Sequence, residues 1–212
     1  MKMIKNGYLY ILLIVIRIVL PTPPIDSRKL DKIKSDMNNL LELIPKGKFQ
    51  EIINNHLIND TGFQAAVTYL RSDEWKTIIE KLKQNRDFIE FTQFLKTIDI
   101  DIDLYVHCVE NQFTTLEIPD VPVGTKKDLK PFIVDLEKNL PTDMILSKLR
   151  ESTTNNPKFR ELYDKLASTE TRSLIEKVLA IPEIKNIIKI LSEMGLQLDQ
   201  SVNGLYMFLG WK

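Results

Sequence analysis

Apolar residues recur at intervals of three and four along most of this chain, which is the spacing of one face of an α-helix. The pattern predicts a helix over residues 26–43, ended by Pro45 and Gly47, and further short helices up to residue 113. A second series runs from residue 129 to residue 208. No segment alternates apolar and polar residues convincingly, so we expect an all-α fold whose short helices are stabilised by mutual packing.

Several helix boundaries are marked by capping residues. Ser72 precedes two acidic residues, which predicts a serine cap with acids in the first turn. Pro157 predicts a helix start, because proline at the first helical position has no N–H to lose. Gly195 predicts a helix end. Thr125 and Asp128 have the spacing of a capping pair, which predicts a helix start near residue 125.

The second half of the chain repeats the first half at an offset of 96 positions without a gap. Identical residues recur at core-type positions, and apolar character is kept at others. Such self-similarity is typical of a duplicated structural unit. The matched pairs include Pro45/Pro141, Phe63/Phe159, Leu70/Leu166, Ser72/Ser168, Leu82/Val178 and Phe88/Ile184. We therefore predict a first helical repeat over residues 26–113, a linker over residues 114–124 and a second repeat over residues 125–212.

The first 25 residues have the features of a secretory signal peptide. Two lysines precede an apolar run over residues 8–20, which is shorter than the roughly 20 residues of a membrane-spanning helix. Arg17 within the run weakens a membrane interpretation. We predict cleavage near Ser27 and secretion of the mature chain. The alternatives are an uncleaved anchor and a buried N-terminal helix of the fold.

Secretion would make Asn59 a candidate for N-glycosylation, because residues 59–61 form the only Asn-x-Thr sequon. The alternative is an ordinary loop rich in turn-forming residues. Cys108 is the only cysteine, so no internal disulfide can form and the fold must be held by its core. An apolar neighbourhood predicts that Cys108 is an inert buried thiol.

Composition and charge argue against nucleic acid as a partner. The chain has 29 basic and 29 acidic residues, and removal of the signal leaves the mature part slightly acidic, without a basic stripe. The two histidines, His56 and His107, lie far apart in the sequence, and neither has a neighbouring constellation of carboxylates or cysteines. We therefore predict no metal, no cofactor and no catalytic site, which is consistent with the lack of phosphate-loop and hydrolase motifs.

One acidic cluster partly matches a calcium-binding loop. Asp99, Asp101, Asp103 and Glu110 stand at positions 1, 3, 5 and 12 of the pattern. Leu104 occupies the position where the sharp turn of such a loop needs glycine. We therefore interpret the segment as the start of a helix, with acids near its positive end.

Short motifs in the first repeat resemble the insect allergen-related repeat family, which includes cockroach group 1 allergens, mosquito midgut microvillar proteins of the G-twelve type and nitrile-specifier proteins. The motifs are Leu43-Ile44-Pro45, Phe63-Gln64, Tyr69-Leu70-Arg71-Ser72-Asp73-Glu74-Trp75 and Asp101-Ile102. The resemblance covers residues 28–211. The second repeat departs from the pattern at residues 169–171 and 195–197, so equivalent roles for the two halves do not follow.

This resemblance implies that the two repeats wrap into one closed helical shell around an apolar cavity, which holds fatty acids or phospholipids. Periodicity alone favours a solid core. The residues expected to line the cavity are Phe63, Val67, Leu70, Ile79, Phe88, Phe91, Leu95, Phe159, Leu166, Ile175, Val178, Ile187 and Leu191.

The resemblance further implies a secreted, non-catalytic lipid-binding protein of the insect midgut, in digestion or lipid transport, in the gut lumen or at the microvillar surface. Transient contact with a membrane surface is a second expectation. The alternatives are a detoxification factor that redirects the breakdown of plant defence compounds, a protein that perturbs membranes by delivering lipid, and a structural role in the gut lining.

Overall fold

The computed structural model describes residues 39, 42–98, 100 and 117–211. All the regular structure in these residues is helical, which confirms the all-α expectation. The helices of the first half are α1 (Lys46–Asn59), α2 (Thr61–Leu70), α3 (Asp73–Lys83) and α4 (Arg86–Thr97). Those after the linker are α5 (Lys130–Asn139), α6 (Thr142–Asn155), α7 (Pro157–Leu166), α8 (Thr169–Ala180), α9 (Pro182–Glu193) and α10 (Leu198–Phe208).

Several sequence predictions fall on residues outside the described part of the chain. These are the signal peptide over residues 1–25, most of the helix predicted over residues 26–43, and the partial calcium-loop pattern beginning at Asp99. His107 and Cys108 lie outside it as well. The closed shell around a cavity therefore stays a prediction.

The helix bounds repeat at the same offset of 96 residues as the sequence does. Helices α1, α2 and α4 reappear as α6, α7 and α9 with identical lengths, and α8 is one residue longer than α3. The residues that precede the helices also correspond, since Pro45 and Pro141 occupy the same position. Local sequence signals thus produce the same helix series twice.

Three of the predicted boundary signals are confirmed by hydrogen bonds or backbone angles. Ser72 Oγ accepts a hydrogen bond from the Trp75 N–H at 3.3 Å. Pro157 is the first residue of α7. Gly195 ends the α9 segment with φ of 97°, where its missing Cβ matters because a Cβ would lie 2.8 Å from Lys130 Cβ.

The capping pair predicted from Thr125 and Asp128 is wrong. Helix α5 begins at Lys130, and the Thr125 hydroxyl donates to the Pro122 carbonyl at 2.7 Å. Asp128 Oδ1 accepts from the Lys130 N–H at 2.9 Å, so the aspartate does assist the helix start. Residues 125–129 remain non-helical because tertiary hydrogen bonds hold their backbone, as described below.

The two helix series pack against each other reciprocally. Helix α3 contacts α9, which is the counterpart of α4. Helix α4 contacts α8, which is the counterpart of α3. The apolar cluster at this interface contains Leu82, Phe88, Val178 and Ile181. At its edge the Lys177 ammonium lies 3.2 Å from the Glu90 carboxylate. The arrangement has approximate two-fold symmetry between the halves.

A larger apolar cluster joins α1 and α2 to α5. Phe49, 1 % exposed, and Leu136, 2 % exposed, are its most deeply buried large side chains. Helix α5 follows the linker in sequence but packs on α1 of the first half. Both apolar clusters therefore contain residues from both halves of the chain.

Candidate functional site

The structure places seven of the thirteen predicted cavity-lining residues in or against the two apolar clusters. Phe63 and Val67 belong to the larger cluster, with Leu191 packed against it. The interface cluster contains Phe88 and Val178, with Phe91 and Ile187 packed against it. The remaining predicted residues lie outside both clusters and are Leu70, Ile79, Leu95, Phe159, Leu166 and Ile175. That all thirteen predicted residues line one common cavity stays a prediction.

A large part of the predicted lining is only half-buried. Helix α9 shows this most clearly, because it buries none of its residues although its apolar face is strongly developed. That face carries Ile184, Ile187, Ile188, Ile190 and Leu191, which are all half-buried. The same holds for Leu70, Ile79, Phe91, Leu166 and Ile175. Side chains of a closed solid core would be covered on all sides, whereas these retain apolar surface for a further contact.

A groove of about 730 Å³ lies where the C-terminal end of α4 meets α7 and the start of α8. Its apolar lining is formed by Phe94, Ile98 and Pro157. The polar lining consists of Thr97, Thr154, Arg160, Glu161, Asp164, Lys165, Ser168 and Glu170. None of these described lining residues belongs to the predicted cavity set. The groove therefore offers an apolar strip bordered by charges of both signs.

His56 contradicts the sequence prediction that no carboxylates surround it. The residue is 5 % exposed, and its Nδ1 lies 2.8 Å from Asp60 Oδ2. Its Nε2 lies 3.2 Å from Asp135 Oδ2. The rings of Phe63 and Phe132 are centred 5.6 and 5.5 Å from the imidazole ring. This network ties α1 to the start of α2 and to α5.

The electrostatics of the network extend to Lys138. Its ammonium donates a hydrogen bond to Asp135 Oδ1 at 3.1 Å. This bond, together with the hydrogen bond from His56, lowers the pKa of the Asp135 carboxyl despite its partial desolvation. Asp60 follows His56 by four residues, and this spacing brings two side chains together on a helix, so the sequence did indicate the contact between His56 and Asp60. Asp135 is 79 residues away, and no local pattern indicated that contact.

The predicted glycosylation site is accessible. Asn59 is the last residue of α1 and is exposed, as is Thr61 at the start of α2. The Asn59 amide donates to Asn55 Oδ1 at 2.8 Å on the surface. Asp60 between them caps α2, since its Oδ1 accepts from the Phe63 N–H at 3.0 Å. Modification of Asn59 itself stays a prediction.

Within the described part of the chain, no group of three or more histidine, cysteine or acidic side chains is placed to hold a metal ion. None of the helices described is both long enough and apolar enough to cross a membrane.

Comparison with known proteins supplies the remaining information on identity. Residues 32–202 match the model of a family described as insect allergen related repeat, nitrile-specifier detoxification. A curated relative is "Protein G12" of Anopheles gambiae, which is 17 % identical over 182 residues, covering 83 % of this chain and 86 % of the relative. The family match spans most of the chain and both helix series. The chain belongs to the insect allergen related repeat family.

Proposed function

We propose that this protein is a secreted, non-catalytic lipid-binding protein that holds fatty acids or phospholipids against the apolar faces of its helices. The observation that carries the proposal is the incomplete burial of α9, whose isoleucine-rich face is only half-buried. The chain belongs to the insect allergen related repeat family, and the resemblance to that family implies the same lipid-binding role. The midgut lumen or microvillar surface is the proposed location, with transient membrane contact during lipid exchange.

Affinity in this proposal comes from apolar area. A buried methylene contributes about 0.8 kcal/mol, so an acyl chain that covers the half-buried side chains gains several kcal/mol without any specific polar contact. Such binding selects for apolar length and tolerates different head groups, because an acyl chain offers nothing to hydrogen-bond. The predicted cavity residues on α9, Ile187 and Leu191, would contact the ligand directly.

Native mass spectrometry of protein from culture medium tests this function. We expect mass above that of the chain, which solvent extraction releases as fatty acids or phospholipids. Ile187→Glu should reduce uptake of added oleate several-fold while far-UV circular dichroism stays helical. The matched control is Lys189→Glu on the exposed side of the same helix, with its side chain 74 % exposed, which should bind as the parent does.

Protein that carries no lipid and takes up no oleate would refute lipid binding and favour a solid core. The N-terminus of the same secreted sample tests the signal peptide. A start near Ser27 is expected, and a start at Met1 would contradict cleavage.

Detoxification is the alternative function, and the family description names it. It requires polar side chains directed at a substrate, whereas the apolar face of α9 provides aliphatic ones. If plant defence compounds hydrolysed in the presence of the protein gave a changed set of products, this alternative would replace lipid carriage. Release of vesicle contents by the protein would instead favour membrane perturbation through lipid delivery.

A further inference from the structure

Residues 125–129 fill a groove between α2 and the end of α9. The Asp128 N–H donates to the Gly62 carbonyl at 3.0 Å, and the Leu129 N–H donates to the Met194 carbonyl at 2.7 Å. The approach is close, because a Cβ on Gly62 would lie 3.1 Å from Asp128 Cβ. These bonds explain why the segment stays non-helical instead of forming the first turn of α5.

The Tyr69 side chain forms one wall of this filled groove. The Lys127 ammonium lies 3.7 Å from the centre of the Tyr69 ring, which is a cation–π contact. The Tyr69 hydroxyl donates to Glu74 Oε1 at 2.9 Å. Partial burial and that hydrogen bond raise the pKa of Tyr69 to about 12, so the ring stays neutral beneath the lysine.

The internal repeat places a second copy of this groove at α7 and the end of α4. At the offset of 96 residues, Gly62 corresponds to Lys158, Tyr69 to Lys165 and Met194 to Ile98. Lys165 and Ile98 line the groove of about 730 Å³ described above. The filled groove and this second groove are therefore counterparts.

Hydrogen bonds confirm that the two grooves are built alike. Gln64 Nε2 donates to the carbonyls of Leu57 and Ile58 at 2.7 and 3.3 Å. Arg160, its counterpart, donates to the carbonyls of Thr153 and Thr154, both at 3.3 Å. These four acceptors correspond at the same offset, so α2 and α7 are attached to their preceding helices by the same bonds.

The two grooves differ in what covers them. On the side of the filled groove, Gln64 is 4 % exposed and Ala65 is 6 % exposed. Their counterparts Arg160 and Glu161 are both exposed. The second groove thus keeps accessible the positions that the first groove buries.

We propose that residues 29–33 of this chain dock in the second groove, as residues 125–129 dock in the first. The same offset that relates the grooves relates these two segments. Ile33 takes the place of Leu129, an apolar residue for an apolar residue. Asp31 takes the place of Lys127 and would face Lys165, so a cation–π contact in one half becomes an ion pair in the other.

The remaining charges agree with this occupant. Lys29 and Lys32 bring positive charge to a groove whose acidic residues are Glu161, Asp164 and Glu170. The segment lies beyond the predicted cleavage near Ser27, so the mature chain keeps it. One difference follows from Lys158, which has a Cβ where Gly62 has none. Residues 29–33 must therefore sit a few tenths of an ångström further out than residues 125–129.

Paired cysteines in a Cys108→Ser background test the proposal. Lys32→Cys with Lys158→Cys should oxidise to a disulfide in a glutathione buffer. The counterpart Cβ positions at Gly62 and Asp128 lie 3.1 Å apart, and the outward shift of a few tenths of an ångström brings such a pair to the range of about 3.5–4.5 Å that a disulfide needs. Gly62→Cys with Asp128→Cys is the positive control. The crossed pairs, Lys32→Cys with Gly62→Cys and Asp128→Cys with Lys158→Cys, are the matched negative controls. Peptide mapping under non-reducing conditions reads the result.

At least tenfold more disulfide in the Lys32/Lys158 pair than in the crossed pairs would support docking. The proposal is overturned if that pair stays reduced, or oxidises no more than the crossed pairs do, while the positive control oxidises. If the positive control fails to fold, charge reversal of the proposed ion pair between Asp31 and Lys165 tests the docking instead. Asp31→Lys and Lys165→Asp should each lower Tm and together restore it, and failure of the double variant to recover would overturn the proposal. Neither test depends on lipid binding.

Discussion

Replacing His56 by Ser and Asp60 by Asn gives the first repeat the side chains that the second repeat has at Ser152 and Asn156. Those residues are buried too, at 4 and 2 % exposure, and Asn156 Oδ1 still caps its helix by accepting from the Lys158 N–H at 3.1 Å. The double substitution therefore asks how much of the stability of the first repeat depends on the histidine network.

The expected cost follows from the two bonds of the imidazole. A hydrogen bond to a charged group contributes about 1.5–3 kcal/mol when buried, which applies to Asp60 with its side chain 21 % exposed. The Asp135 side chain is 42 % exposed, so water replaces much of that bond and its contribution falls to about 0.5 kcal/mol. Adding the lost packing of the ring, we expect His56→Ser to cost about 3–4 kcal/mol.

Asp60→Asn keeps the cap and loses the carboxylate, which should cost about 1–2 kcal/mol. Most of this cost is the interaction with His56, so the double variant should be about as stable as His56→Ser alone. The coupling energy is then about 1–2 kcal/mol. Urea unfolding at pH 7, followed by far-UV circular dichroism, measures all three values. Gln50→Ala, at an exposed position of α1, is the control and should change stability by less than about 0.5 kcal/mol.

Additive costs would refute the network, because they would show that His56 and Asp60 contribute independently. A cost below about 1 kcal/mol for His56→Ser would show that the bonds to both carboxylates are replaced by water without loss.

Three other predictions follow from single positions. The folded-state pKa of Asp135 is depressed, so the stability that its carboxylate contributes is present above the usual pKa of 3.8 and is lost as pH falls. The difference in unfolding free energy between the parent and Asp135→Asn should therefore shrink below about pH 4 and stay constant near neutrality. Gly195→Ala should cost about 2 kcal/mol through its positive φ and crowding, whereas Gly47→Ala, with nothing within 4 Å, should not destabilise; equal urea midpoints would contradict this. Asn59→Gln should remove a glycan-sized mass from the secreted protein, and a mass change of no more than the one added methylene would exclude glycosylation.

Local chemistry explains which features could be predicted from the sequence. The Ser72 cap, the Pro157 start and the Gly195 end each depend on residues within one helical turn, and all three were confirmed. The repeat itself was visible because core positions keep their apolar character at a constant offset. The all-α fold follows from these same local signals.

Long-range contacts explain the failures. The backbone of residues 125–129 is held outside the helix by hydrogen bonds to the carbonyls of Gly62 and Met194, which are distant in sequence and override the capping pattern of Thr125. The contact between His56 and Asp135 likewise depends on α5 crossing from the second repeat to pack on α1. The cavity lining stays a prediction for a different reason, because an apolar helix face looks the same in the sequence whether it meets another helix or a ligand.

Reciprocal packing implies that neither repeat is complete alone. The interface cluster pairs Leu82 with Val178, which are counterparts at the 96-residue offset, and surrounds them with residues of both halves. Separating the halves would expose both copies of the same apolar surface, at about 25 cal/mol for every Å² uncovered. Helix α5, which packs on α1, adds a second set of contacts between the halves. The duplication therefore stabilises the fold through contacts between repeats, while positions such as His56 and Ser152, which lie in one repeat each, are free to diverge.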